Sequence, residues 1–97
     1  MGNSKYVKGR ALEYKLRKEL EGLGFTCVRA AGSHSPWDLV AVSKEMWEPV
    51  LLIQVKGVKT RTEARRLIKK FYTSTKDTEH YQQQLRVWVE REGWFFG

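Results

Sequence analysis

Glu13, Asp38, Gln54 and Lys56 have the types and spacing to act on a phosphodiester. Such hydrolysis needs a carboxylate to hold a hard divalent cation through oxygen, so that the cation polarises the phosphate and acidifies a water. It also needs an ammonium to stabilise developing charge or orient the attacking group. Asp38, a second oxygen ligand and Lys56 fit those parts. In "LLIQVKG", residues 51–57, strand alternation sends Gln54 and Lys56 to one face and Ile53 and Val55 to the other. Alone, that polar pair reads as a strand end wetting itself. The acids elsewhere in the chain give it company.

The elements that must position these groups follow from the hydrophobic period. Leu12, Leu16, Leu20 and Leu23 recur at helical spacing within Lys8 to Leu23, and Gly22 and Gly24 can end the helix. At helical pitch the leucines span about 80° and Glu13 falls about 20° beyond Leu20, so an acid borders the core-facing stripe. A helix ion pair with Arg10 or Arg17 is the competing use of Glu13. "FTCVRAAG", "WDLVAV" and "VLLIQVKG" read as three successive strands forming a meander, with Asp38 near the start of the second and Pro49 opening the third. Ala64, Leu67, Ile68 and Phe71 predict an amphipathic second helix over Thr62 to Tyr72. "STKDTEHYQQ" then reads as a loop, and "LRVWVEREGWFFG" as two strands joined at Arg91, Glu92 and Gly93.

The bulk properties bound what these elements can build. Ninety-seven residues with 41% hydrophobic content suit one folded domain over residues 1–97, with little room for a second functional module. No run approaches a membrane span and "MGNSKYVKG" lacks a signal-peptide core, so a cytoplasmic or nucleoid-associated protein is expected. Tyr6 stands where a myristoylation signal needs Ser or Thr. The lone Cys27 excludes an internal disulfide and sits in an apolar pattern that buries it. The formal charge of +7 favours a polyanion, and all of it lies between Lys56 and Lys76, where eight basic residues meet one acid, Glu63.

Together, "KGRALEYKLRKELEGLGFTCVRAAGSHSPWDLVAV" and "LLIQVK" resemble the archaeal-type Holliday junction resolvases of the PD-(D/E)xK nuclease superfamily, over about residues 8–57. Glu13 matches the family's helix glutamate, Asp38 the motif aspartate, Gln54 the second acidic position and Lys56 the motif lysine. Ser33 or Ser35 matches the loop serine, which a turn hydrogen bond explains equally well. The resemblance implies an α/β, restriction-endonuclease-like fold: a mixed five-stranded sheet flanked by helices in the order α-β-β-β-α-β-β. It also implies a homodimer cutting four-way DNA junctions with Mg²⁺, for which Mn²⁺ can substitute. The alternatives are a nickase, repair or restriction nuclease of the same superfamily, or a DNA-binding module that no longer cleaves.

On this reading Glu13, Ser33, Asp38, Gln54 and Lys56 form the catalytic set, and Asp38, Gln54, Glu13 and the Val55 carbonyl hold the metal. Lys59, Arg61, Arg65, Arg66, Lys69 and Lys70 would track phosphates beside the site, with Lys5, Lys8, Arg10 and Ser35 extending the DNA surface. The sequence departs from the pattern twice. Trp37 separates Pro36 from Asp38, and Gln54 offers a neutral amide oxygen where an acid is expected. Any aromatic residues left exposed, among Trp37, Trp47, Trp88, Trp94, Phe95 and Phe96, would support the dimer.

Overall fold

The computed structural model describes residues 3–30, 37–45, 48–77 and 80–95, with side chains from residue 9 onward. The elements run α1 (Asn3–Gly22), β1 (Phe25–Arg29), β2 (Leu39–Ser43), β3 (Val50–Val58), α2 (Arg61–Ser74), β4 (Tyr81–Val89) and β5 (Gly93–Phe95). The leucine period of α1 buries Leu16 and Leu20, while Leu23 falls beyond the helix and is exposed. The helix closes as the Leu23 and Gly24 N–H groups donate to the Leu20 and Glu21 carbonyls. Gly24 takes φ +99°, which a side chain would strain.

The five strands lie in the order β1-β2-β3-β4-β5. The first three form the antiparallel meander the sequence predicts, with Cys27 opposite Ala41 and Leu39 opposite Ile53. β4 returns parallel to β3 over its full length, from Val50 opposite Tyr81 to Val58 opposite Val89, and β5 closes an antiparallel hairpin on it. A parallel return requires a crossover, and α2 supplies it. Thr60 caps this helix, its Oγ1 accepting from the Glu63 N–H at 3.2 Å.

The two helices cover opposite faces of the sheet. Leu16 and Leu20 pack with Cys27, Leu39, Ala41, Leu51, Ile53 and Val55. On the other face Ala64 packs with Leu85, Val87 and Val89, bordered by Leu67, Ile68 and Phe71. Cys27 is buried as its pattern predicts, and desolvation pushes its thiol upward.

The sequence reading erred on the start of β4. Tyr81, Gln82 and Gln83 read as loop because glutamines have weak strand preference, yet they pair with Val50, Leu51 and Leu52. The central strand offers main-chain partners that outweigh local propensity. The side chains add their own ladder, as Gln84 donates to Gln82 and accepts from Arg86. The aromatic expectation also changes. Trp37, Trp88 and Trp94 are half-buried, with Trp88 and Trp94 packed edge to face at 5.1 Å. Among the described residues the large exposed apolar side chains are instead Tyr14, Leu23, Val28, Val42 and Tyr72. Trp47 and Phe96 lie outside the described residues.

Candidate active site

Asp38 stands where the β2–β3 ladder ends, and its own atoms extend that ladder. Its N–H donates to the Ile53 carbonyl at 2.8 Å, and its Oδ2 accepts from the Val55 N–H at 2.7 Å. These bonds straddle Gln54, so the carboxylate is fixed at the position of β3 where the polar pair begins. One carboxylate oxygen is thereby committed to the fold, and the Asp38 carboxyl also meets the Glu13 side chain. The preceding Trp37 meets Phe71 of α2 edge-on at 6.2 Å. The residue that departs from the family pattern thus ties the Asp38 segment to the second helix.

Glu13 reaches the same place from α1. Its side chain is 15% exposed and its Oε2 accepts from Arg29 Nε at 3.2 Å. Of the competing helix ion pairs, the one with Arg17 is not formed: Glu13 binds Arg29 at the end of β1, while Arg17 pairs with Glu21 at 3.5 Å. The reason is geometric, because the border of the buried stripe turns Glu13 toward the sheet. Burial raises the Glu13 carboxyl above its ordinary range, and the charge of Asp38 pushes the same way, against the opposing pull of Arg29. Glu13 and Asp38 therefore share one electrostatic site.

Gln54 and Lys56 project to the α2 side of β3, opposite the α1-facing Ile53 and Val55. Their register partners Leu85 and Val87 belong to the α2-side core. Gln54 is half-buried and Lys56 exposed. Next along the strand, a side chain on Gly57 would meet Leu12 Cδ1 at 3.0 Å, so glycine here lets the Glu13 end of α1 approach the sheet closely. The signal for this was present in the sequence, in the glycine closing "LLIQVKG".

The groups the sequence assigns to a metal, Asp38, the Gln54 amide, the Val55 carbonyl and Glu13, would all offer hard oxygens. Oxygen donors of this kind suit Mg²⁺ or Mn²⁺. The charge is low, because Arg29 offsets Glu13 and Gln54 brings none. Among the described residues no group of three or more His, Cys, Asp or Glu side chains converges.

The predicted basic wall divides. Arg61 pairs with Glu92, and the Arg65 guanidinium lies over the Phe95 ring at 5.9 Å, so both turn to the β4–β5 hairpin. Lys59, Arg66, Lys69 and Lys70 are exposed, and α2 starts at the site end of the sheet because β3 feeds it there. Arg10 is exposed on α1. Ser33 and Ser35 lie outside the described residues, as do the side chains of Lys5 and Lys8.

The family model of archaeal Holliday junction resolvases (Hjc) matches residues 4–84. The chain belongs to this family. Among solved structures, it is similar to the Holliday junction resolvase Hjc of Archaeoglobus fulgidus, with 26% identity and a TM-score of 0.58. The match covers 90% of this chain and 69% of that one. No protein of curated function matches the sequence. Membership accounts for the fold, whose mixed five-stranded sheet with flanking helices is that of the Hjc nucleases. It also brings a nuclease function and DNA junctions as the class of partner. Among the described residues, no helix is long and apolar enough to cross a membrane.

Proposed function

We propose that this chain is a divalent-metal-dependent endonuclease that resolves four-way DNA junctions as a homodimer. The observation that carries the reading is Asp38, clamped across Gln54 by Val55 and Ile53 with Glu13 against it. A divalent ion bound there would polarise the scissile phosphate and acidify a water. Asp38 supplies the full charge that holds the ion, Gln54 and the Val55 carbonyl add neutral oxygens, and Glu13 provides a second carboxylate from the other face. Lys56 offers its ammonium to the phosphate or the attacking water. Lys59, Arg66, Lys69 and Lys70 bind flanking phosphates without reading sequence.

Labelled four-way junction and linear duplex, incubated with the protein and Mg²⁺, Mn²⁺ or chelator, test this. Paired symmetric cuts on the junction that need metal are expected. Tight binding without a cut in any metal would overturn the enzymatic reading. It would favour the second one, a junction-binding module, for which the low charge of the donor set speaks.

A further inference from the structure

Beside the Glu13–Arg29 pair lies a cavity of about 290 Å³ lined by Arg10, Glu13, Tyr14, Arg17, Arg29 and Leu39. It shares Glu13 with the proposed metal site but is otherwise built of arginines, Tyr14 and Leu39. Guanidinium groups enter from two elements, α1 and β1, and guanidinium is the side chain best shaped for a phosphate. Among the described residues Arg17 is held by a surface pair with Glu21, both partners more than 40% exposed, so a phosphate displaces that contact at small cost. Tyr14 forms one wall. Its side chain is 60% exposed and carries the Lys18 ammonium 5.2 Å from the ring centroid. A large exposed aromatic flanked by cations is the arrangement on which single-stranded bases stack. Leu39 follows Asp38 directly, so the cavity adjoins the position proposed for the scissile phosphate.

We infer that this cavity receives one unpaired nucleotide of the DNA strand, its base stacked on Tyr14 and its phosphate held by the arginines. The inference rests on the junction-nuclease reading and adds what selects the branch. The cavity has room for a nucleotide but not for a base pair. In continuous duplex, stacking and pairing oppose insertion, whereas bases at an exchange point are already loosened. Tyr14 is thus a specificity-determining residue.

The test uses a four-way junction carrying 2-aminopurine at the exchange point and a matched duplex, bound in chelator by wild type, Tyr14→Ala and Tyr14→Trp. Wild type should change the fluorescence of the junction probe only. Tyr14→Ala should lose that response and bind the junction about tenfold more weakly, with duplex affinity changed by less than about twofold. Tyr14→Trp should restore both. If wild type prefers the junction while Tyr14→Ala keeps the same preference and fluorescence response, the cavity inference falls alone. If wild type shows no preference for the junction, the functional reading falls with it.

Discussion

Replacing Asp38 separates its two tasks, holding the end of the sheet and carrying charge. In Asp38→Ala the part-buried Val55 N–H loses a carboxylate acceptor at 2.7 Å. A hydrogen bond to a charged group contributes about 1.5–3 kcal/mol. Some of that loss is returned, because Glu13 no longer faces a like charge. The net expectation is a destabilisation of about 1–2 kcal/mol, or about 5–15 °C in Tm for a domain of this size. Asp38→Asn keeps an oxygen that can accept from Val55 and removes the charge, so its stability should fall within about 0.5 kcal/mol of wild type. Both variants should lose cleavage while still binding junction DNA. Urea denaturation monitored by circular dichroism, run beside gel-based binding and cutting, measures all three quantities. An Asp38→Ala protein as stable as wild type, or an Asn variant as damaged as the Ala variant, would refute the dual role.

Three further outcomes follow from the geometry. Because burial and Asp38 raise the Glu13 carboxyl, its favourable contribution is complete below the ordinary value of 4.5 and is lost as pH rises through the raised one. Glu13→Gln should therefore be more stable than wild type at pH 7, and that advantage should vanish in denaturation series below pH 4.5; a less stable variant at pH 7 would mean that Arg29 outweighs burial. Gln54→Glu should lower the Mg²⁺ concentration for half-maximal cutting by about tenfold, since ligand charge sets affinity at oxygen sites. An unchanged requirement in a folded variant would remove position 54 from the metal. Joint replacement of Arg66 and Lys70 by Ala should reduce the salt dependence of DNA affinity by about 1.8 in slope, whatever the sequence. An unaltered slope would place the phosphate track elsewhere.

The sequence made the helices and the meander legible because each buries a single face with a clear period: Leu12, Leu16 and Leu20 in α1, Ala64, Leu67, Ile68 and Phe71 in α2. It hid the first residues of β4, where Gln82 to Gln84 take their structure from the neighbouring strand. Among the candidate groups, alternation put Gln54 and Lys56 on one face, and helical pitch put Glu13 at the edge of the buried stripe. Partnerships were less legible. Arg29 reaches Glu13 from sixteen residues away, and Asp38 is fixed by a main-chain N–H, a group that every residue but proline shares. The alternation of Arg29 with Cys27 and Phe25 pointed it toward α1, and that was the available clue.

β3 interleaves two kinds of position along one stretch of backbone. Ile53 and Val55 are locked under α1, while Gln54 between them contributes nothing to that packing. Substitution at position 54 therefore leaves the α1-side packing untouched and is felt only beside Leu85 on the half-buried α2 side, and a lineage can exchange acid for amide there without forfeiting a foldable chain. Insertion or deletion is different, since a single residue gained or lost before Lys56 would swing the aliphatic positions to the α2 side and drive the polar ones beneath α1. Drift in this strand is therefore free to retune cation affinity by point replacement but is closed to changes in length.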